Sequence, residues 1–204
     1  MAEVLPRLDL KAVVPFRPHR TGFLDGKDYR ETIELLTFHR NIEETLIPFR
    51  AVAVDLISWQ KVVLDRGPIG KAVQASSAVP GIFVPVEWGD WLLADGFLLE
   101  NVPTCVVRDM GADLVIGVDI SYPSRTRPKH MIDIMNRALD IATKSQPIAE
   151  ADYLIAPIHE SISGFDLEKA EQCLEMGRRA GAAAIPDILA LIESFSQRLR
   201  EEDF

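Results

Sequence analysis

Short apolar runs of strand length, separated by segments with helical spacing, narrow the possible folds of this chain more than any other feature. Trp91 to Ala94, Leu114 to Ile120 and Tyr153 to Ile158 are such runs, and Pro103 to Met110 and Pro128 to Ser145 read as helices between them. That alternation predicts an α/β sandwich. Phe49 to Leu56 reads as an earlier strand, and Lys61 to Leu64 lies close enough to form a hairpin with it before Gly67-Pro68 stops the run. Asp28 to Asn41 reads as a helix with Ile33, Leu35, Leu36 and Phe38 on its apolar side. A shorter helix from Ile69 through Ala78, rich in small residues that permit close packing, ends at Pro80-Gly81. Near the C-terminus, Asp166 to Arg179 is helical, and Pro186 predicts a break before a fresh helix from Asp187 to Leu199. The Ile188, Leu189, Leu191, Ile192, Phe195 and Leu199 face of that helix needs a surface to cover it. Val4 to Pro18 holds three prolines and reads as irregular, giving an arm at 1–19 and one domain at 20–204.

Composition excludes several classes. A hydrophobic share of 48% in 204 residues fills a sizeable core, and a net charge of -9 argues against a broad phosphate-backbone footprint, so no nucleic-acid partner is expected. Cys105 and Cys173 are too few and too far apart for a disulfide framework or a metal site. No apolar run reaches the roughly 18 residues of a membrane span, and the start at Met1 does not read as a secretory leader. The expectation is a cytoplasmic protein without a transmembrane span, with peripheral contact at membranes left open.

Asp95 stands at the end of an apolar strand and directly before Gly96, where an α/β enzyme presents a catalytic carboxylate. A strand-end aspartate before glycine also makes an ordinary Asx turn, and spacing alone does not separate the two. A hydroxyl nucleophile would have to reach it. No Gly-x-Ser-x-Gly elbow occurs in the 204 residues. Ser76 and Ser77 sit between apolar residues just before Pro80-Gly81, and their hydroxyls are expected to bond local backbone rather than attack. Ser58, Ser121, Ser124 and Ser145 have less context still. His19, His39, His130 and His159 show no ligand or partner spacing, Asp113 and Asp119 read as turn and cap acids, and no glycine cluster forms a phosphate cradle. No metal and no cofactor are expected. Trp59, Trp88, Trp91, Phe83 and Phe97 supply apolar surface around Asp95, as core or as the wall of an acyl cleft.

Four blocks in order carry a resemblance. Pro48 to Leu56, Gly67 to Phe83, Leu93-Ala94-Asp95-Gly96 through Asn101-Val102-Pro103, and Gly111-Ala112-Asp113 with Val115 to Ile120 together resemble the patatin-like phospholipase family, over about residues 20 to 180. The resemblance implies a three-layer α/β/α fold and a serine-aspartate dyad, without histidine, that hydrolyses lipid acyl esters. Asp95 matches the family's aspartate, Gly96 its glycine, and Phe97 replaces the usual second glycine. Gly96, Ser76, Ser77, Pro80 and Gly81 then support the site. The family's oxyanion loop and serine elbow have no counterpart here. The expectation is a C-terminal part of a lipid acyl hydrolase, truncated or split, inactive until a nucleophile segment is supplied; the alternative is a noncatalytic interaction or regulatory module. A homo-oligomer or a companion N-terminal fragment would cover the strand edge that the elbow would otherwise occupy.

Overall fold

A computed structural model of the chain describes residues 20–122, 127–144, 151–158, 160, 162 and 169–202. The arm at 1–19, His19, Ser124, Ser145 and His159 lie outside the described residues. The rest is mixed α/β and falls into two compact units, one within Met1–Asn101 and Pro128–Pro147, the other within Val102–Arg127 and Ile148–Phe204.

The first unit is built on a four-stranded sheet. β1 (Ala51–Asp55) and β2 (Gln60–Leu64) form the expected antiparallel hairpin, with Ala51 opposite Leu64 and Asp55 opposite Gln60. β3 (Val86–Trp88) and β4 (Trp91–Asp95) form a second one, and β4 pairs antiparallel with β1, giving the order β2-β1-β4-β3. All five residues of β1 are buried, whereas β2 buries only Val62 and Leu64. A central strand is covered on both faces, in keeping with the continuous Ala-Val-Ala-Val run of β1, and an edge strand on one, so that in β2 Val62 and Leu64 are buried and Val63 between them is exposed.

α1 (Lys27–Leu36) packs on α2 (Ile69–Ser76), and α2 packs on this sheet. Ala72, Ala75 and Ala78 are almost fully buried with Ala53 and Leu93, so helix and sheet approach closely. Gly70 serves the helix pair, because a Cβ there would stand 2.8 Å from the Arg30 carbonyl. α1 is shorter than its apolar spacing predicts. It ends in a Schellman cap: Phe38 N–H donates to Leu35 O, His39 N–H donates to Glu34 O, and Phe38 and His39 take φ of 55° and 54°. The cap was hidden from the sequence because glycine normally fills it.

α4 (Met131–Lys144) completes the first unit, with Met135 set against Gly81. The second unit holds α3 (Thr104–Asp109), a parallel pair formed by β5 (Ile116–Val118) and β6 (Tyr153–Ile155), and α5 (Ala170–Glu202). Asp152 fastens it by accepting from Val115 N–H and Arg108, each at 2.7 Å. Tyr153 donates to Asp187 on α5 at 2.9 Å.

Two sequence expectations are corrected. Leu114 to Ile120, read as a core strand, pairs only over Ile116–Val118, and Ile116, Val118 and Ile120 are exposed. The predicted break at Pro186 is absent, and α5 runs unbroken for 33 residues. Proline removes the amide that would bond the Ala182 carbonyl, but Ala182 and Pro186 are both exposed, so the lost bond falls on the solvent side of the helix and the small alanine leaves room for the ring. Leu189, Ile192 and Leu199 on this helix remain exposed.

Candidate active site

Asp95 ends β4 opposite Ala53, the middle residue of the fully buried β1. Its backbone N–H donates to Ala78 O at 3.0 Å, which ties the strand end to the segment following α2. The next residues, Gly96–Leu98, turn as a short 3-10 helix capped by Asp95 itself, whose Oδ1 accepts from Phe97 N–H at 3.0 Å. The chain must pass unusually close to β1 here: a Cβ on Gly96 would stand 2.5 Å from the Val52 carbonyl oxygen. Glycine is therefore demanded by contact rather than by a left-handed backbone. Phe97, where the resemblance leads one to expect glycine, needs no positive φ and supplies the capping amide as any residue would.

The same Val52 carbonyl accepts the Ser76 hydroxyl at 2.7 Å. Ser77 donates back to Val73 O at 2.7 Å, one turn earlier in α2. Neither hydroxyl bonds Asp95; Ser76 joins helix to strand, and Ser77 closes the last helical turn. Pro80 and Gly81 follow in a tight turn in which Phe83 N–H donates to Val79 O at 2.9 Å, with Gly81 at a φ of 79°. The structure thus brings Ser76, Ala78, Asp95 and Gly96 to one end of the sheet, around the start of β1.

The environment of Asp95 sets its acidity. Burial penalises the charged carboxylate and pushes its pKa up to about 6, against a smaller lowering by the Phe97 N–H. Among the described residues no cation pairs with it and no hydroxyl bonds it. Such a carboxylate changes protonation near neutral pH, as general acid-base chemistry requires.

A second carboxylate serves as contrast. Asp55 is buried at the far end of β1 and accepts from Ser58 Oγ at 2.6 Å, Ser58 N–H at 2.9 Å, Leu92 N–H at 2.9 Å and Ile57 N–H at 3.3 Å. These bonds, led by the Ser58 hydroxyl, hold its pKa down to about 2. It is a serine-aspartate pair in geometry, yet so weak a base is a poor acceptor for a serine proton. Its work is to cap the β1-β2 turn and to link β1 to β4. The sequence reading passed over it, although Asp-x-x-Ser at a strand end is a recognisable side-chain turn signal.

The aromatic residues are spread over the first unit, with Trp91 at the start of β4 and 43% exposed. Trp59 is 80% exposed at the opposite end of β1, Trp88 packs against Gly67 and carries Lys71 over its ring, and Phe83 packs on the core. Phe97 alone adjoins the carboxylate in sequence. Asp119 Oδ1 accepts from Ser121 N–H at 2.9 Å, and His39 belongs to the cap of α1. Among the described residues, no group of three His, Cys, Asp or Glu side chains could hold a metal, and no helix is long and apolar enough to cross a membrane.

No family model matches the chain. It is 32% identical over 134 residues to an uncharacterized NTE family protein of Mycobacterium tuberculosis, which covers 66% of this chain and 33% of that protein. A second uncharacterized NTE family protein of that organism is 27% identical over 173 residues, covering 69% and 30%. Patatin-like phospholipase domain-containing protein 7 of Mus musculus is 27% identical over 119 residues, covering 57% and 9%. The chain spans about a third of the length of the mycobacterial relatives. With these relatives, and with an α/β fold that sets an Asp-Gly pair at a strand end, the chain is similar to NTE family and patatin-like phospholipase domain proteins, which supports a patatin-like family.

Proposed function

We propose that this chain carries the aspartate base of a serine-aspartate lipid acyl hydrolase, with the nucleophilic serine contributed by a segment outside these 204 residues, on the same polypeptide or on a companion. The observation that carries the reading is the state of Asp95: partly buried, unpaired by any described cation, raised to about 6, and fixed through Oδ1 alone. In the proposed reaction a serine hydroxyl donates its proton to the free oxygen of Asp95 as its own oxygen bonds the acyl carbon. The tetrahedral adduct then expels the alcohol, which takes the proton back from Asp95. Water, deprotonated by the same carboxylate, releases the fatty acid and restores the serine. Alone, the chain is expected to turn over no ester, because Ser76 and Ser77 spend their hydroxyls on backbone carbonyls.

A companion chain or a second copy also has a surface to cover. Ile116 and Val118 on β5, and Ile120 just beyond it, are all exposed, while parallel strands ordinarily have both faces covered. A second reading, a noncatalytic interaction module, is favoured by the absence of any described hydroxyl bonded to Asp95. Ester hydrolysis separates the two. The chain is assayed alone and with the sequence encoded upstream of it, supplied in frame or in trans, on a short-chain chromogenic ester and a phospholipid, each next to Asp95→Asn. Turnover by the pair that Asp95→Asn abolishes supports the hydrolase. Turnover indifferent to Asp95 refutes the assignment, and a folded pair without turnover supports the module.

A further inference from the structure

The segment between α1 and β1 presents large apolar side chains to solvent: Leu46 is 94%, Ile47 82% and Phe38 80% exposed. They edge a shallow groove of about 420 Å³ shared with Thr37, Arg40 and Thr45. Ordinary surfaces scatter such residues singly, and a contiguous group marks a contact surface.

The segment is tied down by backbone hydrogen bonds. Ile42 N–H donates to Gly67 O at 2.9 Å, Ile69 N–H donates to Arg40 O at 3.2 Å, and Thr45 N–H donates to Ile42 O at 3.1 Å. Phe38 sits at a φ of 55°, a conformation that costs a bulky residue about 1 kcal/mol and that glycine would adopt freely. Strain kept at an exposed aromatic shows that burial is not what holds phenylalanine there.

Charge selects the occupant. The two acids of the segment are turned onto the protein's own backbone: Glu43 accepts from Gly67 N–H and Glu44 from Asn41 N–H, each at 2.7 Å. Among the described residues Arg40 makes no ion pair, so the groove offers an unengaged cation beside bare hydrocarbon. That combination suits phosphate head groups above acyl chains. Position agrees, because the segment leads into β1 at Ala51, two residues before Ala53, the partner of Asp95, so it enters the sheet at the Asp95 end.

We propose that Phe38, Leu46 and Ile47 insert into a phospholipid surface, with Arg40 at its head groups, and so present the Asp95 end of the sheet to the bilayer. This deepens the hydrolase reading and rests on it for its purpose, though the binding is measured independently of turnover. The test is sedimentation of the chain with phosphatidylcholine vesicles containing phosphatidylglycerol. Leu46→Glu and Ile47→Glu, at exposed positions that leave the fold intact, are each expected to lower partitioning at least about tenfold. Phe38→Gly should weaken binding while raising Tm, whereas Asp95→Asn should bind as wild type. Folded wild type that stays in solution, or Glu variants that bind unchanged, would overturn the proposal. So would light scattering that shows a dimer dissolved by both Glu variants, since the patch would then be a self-contact. If Asp95→Asn retains hydrolysis but the binding pattern holds, the catalytic assignment fails and the docking surface stands.

Discussion

Replacing Asp95 by asparagine should make this protein more stable at neutral pH. The folded carboxyl titrates at about 6, above the ordinary aspartate value near 3.9, because burial disfavours its charge. A group raised in this way contributes stability that is fully present below the unfolded pKa and is lost as pH rises through the folded one. Two pKa units correspond to about 3 kcal/mol at pH near 7.5, and the part of the side chain that reaches solvent lowers this to about 2. Asparagine removes the charge and keeps an oxygen for the Phe97 amide. Urea denaturation of wild type and Asp95→Asn should therefore differ by about 2 kcal/mol near pH 7.5 and by about a third of that near pH 4.5. In thermal unfolding the neutral-pH gain is a Tm rise of about 4 to 8 °C. A variant no more stable than wild type near pH 7.5, or a gain that does not shrink on acidification, would refute the claim that burial holds this carboxyl poised.

Gly96→Ala should destabilise by about 2 kcal/mol or more, since its Cβ would meet the Val52 carbonyl and neither backbone can yield easily; denaturant midpoints measure it. Ser76→Ala should cost about 1 kcal/mol through the lost bond to Val52 O, without moving the Asp95 titration followed by carboxyl NMR. Asp55 contributes stability that is present above its unfolded pKa and is lost as pH falls from about 4 toward 2, so Asp55→Asn should flatten that acid limb of the stability curve. Pro186→Ala should restore the Ala182 hydrogen bond and raise the helicity and Tm of the chain, as circular dichroism would show.

The proposed catalytic function and the stability prediction share one cause. A carboxylate kept from water without a counter-charge weakens the fold at neutral pH, and the same destabilisation makes it a competent proton acceptor. Asp55, satisfied by four donors, is the opposite case in the same sheet.

The amino-acid sequence determined the elements: a short run from Lys61 to Leu64 marked β2, continuous apolar residues marked β1 and β4, small residues marked the close-packed α2, and Asp-Gly marked a turn at a strand end. These signals are local, so they survive without knowledge of what packs against them. What only the tertiary structure decided depends on residues far apart in the chain. β1 lies between β2 and β4, and Ala78 receives the Asp95 amide. Ser76 and Gly96 converge on one carbonyl. The length of α1 was set by a glycine-type cap occupied by phenylalanine, and the continuity of α5 by where Pro186 faces solvent. The acidity of Asp95 is likewise nonlocal, because spacing places the carboxylate but only the surrounding chain determines how much water it keeps.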